Sequence, residues 1–529
     1  MKLLRAAALL VLAFPSVAHA APAALVVRDV PLAGGRALAA AAPRFDLVGL
    51  HWRGSGHVSF STRSPGGRWS AWHPAAPEAE DAPDFESPEA TRESAWRLGS
   101  PYWTGPADAI RYRLTGQVRR LRAYFVHTTA VAVPPRTLSI AGSPLIVPRL
   151  GWSANERIRR APPRYAPAVR FAVVHHTAGS NTYSRAQAPA IVRAIEIYHV
   201  LGNGWNDIGY NFLVDKYGQV YEGRYGGIAR NVVGAHAQGF NTGSVGVALI
   251  GSYGSTAPSV AAVRALAALL AWRLDLAHVD PRSSLTYLSG GNARFPAGTP
   301  VFLRTISGHR DTGYTSCPGN VLYRRLPSIA RMVAAIGLPK LYAPSVTGKI
   351  PGRVRFRARL SSALPWTVTV TDSKGSLLAT GTGTTAAVDW TWDATGYGRG
   401  KFFWSISAGS GVRPATGTLG GKPPPLRLTG ATADPPTISP NGDGVDDSAT
   451  ISFTLTAPAT VTATLLDATG TTVSTLFADE FHPAGPSSFV FYGDGVPDGT
   501  YKIVLKAKAT DGTSASASVA LTIDRTSPP

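Results

Sequence analysis

Cysteine is all but missing from this sequence, with one residue, Cys317, in 529. No intrachain disulfide can form, which excludes the small secreted proteins that rely on cross-links in place of a hydrophobic core. Acids are scarce as well: 32 Asp and Glu stand against 52 Lys and Arg, giving a formal charge of +20 and a sequence pI of about 10.2. An excess of that size selects an anionic partner. Charged residues of both signs reach only 16% against 44% hydrophobic, which excludes wholesale disorder. Long apolar runs are lacking beyond the first twenty residues, and the best later one, residues 261–272, is interrupted by Arg264. No membrane span is expected there. At about 150 residues per domain the length argues for three to four domains.

Residues 1–20 combine Lys2 and Arg5, an apolar run from Ala6 to Phe14, and the small-x-small tripeptide Ala18-His19-Ala20. This is the pattern of a cleaved export signal, and the run is too short for an anchor. Losing Lys2 and Arg5 lowers the charge by two, to +18 in a secreted, wall-associated chain. Export and the lack of any groove-reading motif argue against nucleic acid as the partner and for the anionic cell envelope.

Residues 21–140 show period-two alternation, as in Val58, Phe60 and Thr62, or Ile110, Tyr112 and Leu114. They are read as an N-terminal β-sandwich. Between its strand groups lies an acidic stretch, Glu78, Glu80, Asp81, Asp84, Glu86 and Glu89, expected to be a solvated loop; a metal-binding role is disfavoured because no ligand spacing is recognisable. Residues 141–340 change to mixed α/β, with a buried strand at 171–174, a helix over 188–200 entered through Pro189, strands near 211–214 and 245–250, and a helix over 259–276. Ser259 is its expected cap and Val260, Val263, Leu266, Leu270 and Leu274 its apolar stripe. After Lys340, Asp372-x-x-Gly375, Trp392-Asp393 and Gly400-Lys401-Phe402 recur loosely as Asp467-x-x-Gly470, Gly493-Asp494 and Gly499-Thr500-Tyr501. A repeat of that size built of short strands predicts two immunoglobulin-like modules, 341–425 and 426–529, joined by the stiff Pro423-Pro424-Pro425.

The chemistry concentrates in Ser307-Gly308-His309-Arg310-Asp311-Thr312-Gly313-Tyr314-Thr315-Ser316-Cys317-Pro318-Gly319. A histidine and the lone cysteine eight positions apart suit either a zinc-held thiolate or a buried structural thiol. A catalytic zinc needs a third protein ligand, and Phe171-Ala172-Val173-Val174-His175-His176 offers one. Neighbouring side chains of a strand face opposite ways, so only one of the two histidines can reach the metal.

These segments, with Trp205-Asn206-Asp207-Ile208-Gly209-Tyr210-Asn211, Gly234-Ala235-His236-Ala237, Asn241 and Ser244-Val245-Gly246, follow the order found in zinc N-acetylmuramoyl-L-alanine amidases. The central domain resembles the amidase-2 group that includes the peptidoglycan recognition proteins, over roughly 190 residues opened by Pro148-Arg149-Leu150-Gly151-Trp152. The resemblance implies Zn²⁺ on His175, His309 and Cys317, with catalytic roles for Tyr210 and Thr315 and a substrate groove lined by Trp205, His236 and Asn241. Asp311 is expected to hold an imidazole through its N–H. Phage members carry lysine where this chain has Thr315, which removes a cationic clamp on the oxyanion. A packing role for Tyr210 stays open, because an ordinary tyrosine is a poor base at neutral pH.

The fold class that follows is multidomain, a central α/β amidase domain of mixed sheet and packed helices flanked by one N-terminal and two C-terminal β-sandwiches. The expected function is secreted, zinc-dependent cleavage of peptidoglycan by a monomer. Two alternatives differ in kind: a non-catalytic peptidoglycan binder on the same scaffold, against which Cys317 argues, and an adhesin acting through its β modules. The loop Ser439-Pro440-Asn441-Gly442-Asp443-Gly444-Val445-Asp446-Asp447 departs from the calcium-binding EF-hand pattern and is read as an Asx-type turn.

Overall fold

The computed structural model describes residues 23–526 apart from short stretches at 34–35, 38–41, 77–80, 91–95, 129–136, 138–141, 398–399, 421–425, 443–444, 483 and 510–511. The export segment 1–20, the proline run 423–425, Glu78, Glu80, Asp443 and Gly444 lie outside the described residues.

The centre of the molecule is a six-stranded sheet: β1 (Ile146–Val147), β2 (Phe171–His176), β3 (Phe212–Val214), β4 (Val220–Glu222), β5 (Ser244–Leu249) and β6 (Ile306–Gly308). Their order is β1-β4-β3-β5-β2-β6. Every pairing is parallel except the antiparallel one between β3 and β4. β2 and β5 are buried along their whole length, which is why both read as nearly unbroken apolar runs. On one face, Ala172, Val174, Val245, Val247 and Leu249 meet Leu266 and Leu270 of α2 (Val260–Asp275) and Leu326 and Ile329 of α3 (Asn320–Ala335). On the other, Leu213 and Ala248 meet Ile191 and Ile195 of α1 (Ala188–Ile197).

Ser259 caps α2 as expected, its side chain accepting the Ala262 N–H at 3.0 Å. Val263, Leu266, Leu270 and Leu274 are buried, whereas Val260 is 65% exposed at the first turn. α1 is shorter than its periodicity predicts, since residues Tyr198–Gly202 widen into a π turn.

The N-terminal module has one sheet holding Ala24–Val30, Phe45–Arg53, Tyr102–Ala107 and Arg120–His127, and another holding His57–Arg63 and Ala109–Thr115. Val48, Leu50, Trp52, Val58, Phe60 and Phe125 fill the space between them. The same module also covers α1, for Leu47, Trp103, Tyr124 and Val126 share one core with Ile191, Ile195 and Tyr198. Buried polar groups fasten this seam. His51 Nε2 lies 3.0 Å from the Tyr198 hydroxyl and 3.1 Å from Asn203 Oδ1, and Tyr198 donates to the Gly99 carbonyl at 2.6 Å.

Beyond residue 340, two all-β units each enclose their own core between two sheets, one around Phe356, Trp366 and Trp392, the other around Phe453, Phe477 and Ile503. The sequence repeat corresponds to one repeated turn. Asp372 Oδ1 accepts the N–H groups of Lys374 and Ser376 with Gly375 at φ +86°, and Asp467 Oδ1 accepts those of Thr469 and Thr471 with Gly470 at φ +85°. In the loop after residue 438, Asp447 Oδ1 accepts the Gly442 N–H at 2.8 Å. Ion pairs tie both units to the central domain, Arg413 to Asp275, Arg359 to Asp280 and Arg230 to Glu480.

Candidate functional site

The pleat of β2 separates the two adjacent histidines. His176 turns toward the helices, where its Nδ1 accepts the Tyr253 N–H at 3.1 Å. His175 turns to the opposite face. Parallel pairing sets Val174 of β2 beside Gly308 of β6, so the chain leaves β6 next to His175 and delivers His309. Their rings lie 4.5 Å apart. The loop then returns Cys317, whose Sγ is 3.7 Å from His175 Nδ1 and accepts the His176 N–H at 3.4 Å.

One donor atom from each of His175, His309 and Cys317 lies within 4.8 Å of the others, and all three residues are buried. The second ring nitrogen of His175, Nε2, sits 3.1 Å from His236 Nδ1, the kind of outer partner that fixes a ligating imidazole. Two imidazole nitrogens and a thiol, backed by an N–H to the sulfur, fit Zn²⁺ with a fourth position to fill.

His236 stands behind His175 and is itself buried. Its backbone N–H and that of Ala237 are accepted by Asn241 Oδ1 at 2.8 and 3.0 Å. Burial first, then the His175 and His309 imidazoles, hold its pKa well below the ordinary range, so it is neutral. Gly246 on β5 makes room for it: a Cβ there would lie 2.2 Å from His236 Cδ2. Tyr210 reaches the donor cluster, with its ring 5.4 Å from His175. Thr315 Oγ1 accepts the Cys317 N–H at 3.1 Å and so shapes the turn that carries the sulfur. Trp205, 2% exposed, lies against the His199 ring at 4.5 Å. Asp311 does not do what was expected of it. Its carboxylate accepts the Gly308 N–H at 2.9 Å and the Tyr323 hydroxyl at 2.6 Å, bracing the loop instead of an imidazole.

The acidic stretch of the N-terminal module is not a solvated loop. Of its described members only Glu86 is exposed. Asp81 Oδ1 lies 3.2 Å from His309 Nδ1 and 3.4 Å from His175 Nδ1, while Oδ2 accepts the Tyr210 hydroxyl at 2.5 Å. Burial pushes the Asp81 carboxyl up to about 6, against the pull of His309 and the Tyr210 hydroxyl. Asp84 Oδ1 accepts from Gly239 N and Asn241 Nδ2, both at 2.7 Å, and Asn241 Nδ2 also reaches the Ala82 carbonyl at 3.0 Å. Glu89 pairs with the buried Arg224 and accepts the Asn206 N–H at 2.9 Å. Sequence reasoning named these residues but gave them no place at the site. The available signal was six acids within twelve residues of a chain otherwise short of acid.

The family model described as N-acetylmuramoyl-L-alanine amidase (Amidase_2) matches residues 165–320. Peptidoglycan-recognition protein SC2 of Drosophila simulans is 32% identical over 181 residues, covering 34% of this chain and 84% of that protein. An N-acetylmuramoyl-L-alanine amidase of Sus scrofa is 34% identical over 192 residues, which make up 36% of this chain and 28% of that enzyme. Among solved structures, wild-type Drosophila PGRP-LB aligns at a TM-score of 0.27 and 28% identity, covering 35% of this chain and 92% of that one.

Proposed function

The chain belongs to the family of peptidoglycan-recognition proteins and N-acetylmuramoyl-L-alanine amidases, and from that premise we propose that it is a zinc-dependent hydrolase that cuts the amide between N-acetylmuramic acid and the L-alanine of the stem peptide. The observation that carries this reading is the convergence of His175, His309 and Cys317. Those three hold the metal, which when bound supplies a Lewis acid for the scissile carbonyl and for water. His236 keeps the His175 imidazole in one orientation through Nε2. Tyr210, whose hydroxyl already sits against a carboxylate at the donor cluster, orients the scissile amide. The Thr315 hydroxyl, which accepts the Cys317 N–H, donates toward the oxygen that gains charge as water adds. The C–N bond then breaks, and the alanine nitrogen leaves as an amine carrying a proton from water.

Asn241 and Trp205 belong to the groove that takes the muramyl peptide. Export through residues 1–20 and wall attachment through the positive charge and the two C-terminal units, read as immunoglobulin-like modules, complete the proposal. A recognition protein that binds without cutting shares this scaffold, and Cys317 is what favours hydrolysis.

Mass spectrometry of the metal and of the products tests it. The wild type is expected to carry one zinc per chain and to release stem peptides with a free alanine amine from purified peptidoglycan, and Cys317→Ser to lose both properties. Equal release by wild type, variant and chelated protein would overturn the zinc mechanism.

A further inference from the structure

Asp81 and the residues after it come from a different module, yet Asp81 reaches the His175, His309 and Cys317 cluster. Tetrahedral zinc with nitrogen and oxygen ligands at about 2.0–2.1 Å separates neighbouring donors by about 3.4 Å. Asp81 Oδ1 stands 3.2 and 3.4 Å from the two imidazole Nδ1 atoms, the separations of a further vertex. The carboxylate is nine-tenths buried, and among the described residues Oδ1 has no hydrogen-bond partner, while Oδ2 is held by Tyr210. A buried carboxylate oxygen without a hydrogen bond is costly unless a cation faces it. A divalent ion with one thiolate leaves one positive charge, which one carboxylate neutralises.

The rest of the segment bonds to Asn241, read above as part of the groove, and also to Gly239 and Arg224. Ala82 and Asp84 take the Asn241 side-chain amide, Asp84 takes the Gly239 N–H, and Glu89 neutralises Arg224.

We propose that residues 81–89 are a built-in occupant of the groove, with Asp81 Oδ1 the fourth protein ligand of the metal, so that the chain as folded is latent and opens when this segment is displaced. The inference rests on the metal-site reading of the previous section. Its chemical consequence is competition: an anionic muramyl peptide and the acidic segment need the same groove, and only one can hold it.

Cobalt(II) loaded into the full-length chain reports the coordination directly. The wild type is expected to give the intense d–d bands of a four-coordinate ion, unchanged by azide. Asp81→Ala is expected to shift those bands and make them respond to azide. Muramyl pentapeptide, titrated by calorimetry, should bind Asp81→Ala at least about tenfold more tightly, because binding no longer competes with an internal ligand. Asp84→Ala, which removes groove bonds and no metal ligand, should raise peptide affinity with the cobalt bands unchanged, and it decides the matter if Asp81→Ala fails to fold by near-ultraviolet circular dichroism. Azide titration of the wild type identical to that of Asp81→Ala, or peptide affinity unmoved in Asp84→Ala, would overturn the proposal. The two readings part cleanly. Cobalt bound equally by wild type and Cys317→Ser defeats the metal site itself, whereas a thiolate-to-cobalt band with no dependence on Asp81 defeats only the internal ligand.

Discussion

Replacing His236 by alanine removes no metal-binding donor, yet the geometry predicts a clear effect. His175 Nε2 loses its partner at 3.1 Å, and metal affinity should fall by about 10–100-fold, measured by competition with a chromogenic chelator. Unchanged affinity would mean that packing alone orients His175. The resemblance assigns His236 to the substrate groove; in the structure its ring stands against His175 and its backbone is held by Asn241. His175, His309 and Cys317 were legible as candidates because His309 and Cys317 share one short motif and His175 ends an apolar strand. The choice between His175 and His176 needed the strand, whose pleat sends one to the donor cluster and the other to Tyr253. Asp81 was illegible for a different reason. It stands 129 residues from the tyrosine it bonds, in another module, and no local pattern encodes a contact of that range.

At the scale of elements, β5 matters through what it omits. Gly246→Ala would place a methyl group 2.2 Å from His236 Cδ2, and the ring must move or the strand must shift. Overpacking of this kind costs about 1–3 kcal/mol, and the displaced ring should lower metal affinity as well. Thermal melts of the metal-free protein and chelator competition separate the two effects; a variant with normal values for both would show that the ring has room elsewhere. α2 illustrates what periodicity reads well. Its stripe and its Ser259 cap follow from the 3.6-residue repeat and from capping chemistry, and only Val260, on the first turn, escapes burial. Ser259→Ala should cost about 1 kcal/mol in chemical denaturation. The end of α1 was less legible, since apolar spacing continues through Tyr198 while the backbone widens into a π turn.

Across the whole molecule, module seams respond to pH and to charge. Burial holds His51 down to about 4, against an ordinary value of 6.5, at the seam with Tyr198 and Asn203. The unfolded chain therefore binds the proton more readily between those values, so the seam is strongest above pH 6.5 and weakens as pH falls toward 4. The full loss is about 3 kcal/mol. Melting temperatures at pH 7 and pH 5 should diverge for the wild type and converge for His51→Gln; equal slopes would remove His51 as the cause. Glu89→Ala leaves Arg224 buried without its carboxylate and should destabilise by about 3–5 kcal/mol, read by urea unfolding.

The helix α1 has a further consequence for how this protein can be handled and how it can evolve. One flank rests on the central sheet and the other on strands Phe45–Arg53 and Arg120–His127, through a single continuous core. Residues 165–320, excised to match the family boundaries, would carry a helix with a bare greasy side and should self-associate in solution. The N-terminal sandwich is thus no detachable bead on a string. Exchanging it for another module would require rebuilding the helix surface at the same time, which couples the histories of two parts of the chain that sequence comparison treats separately.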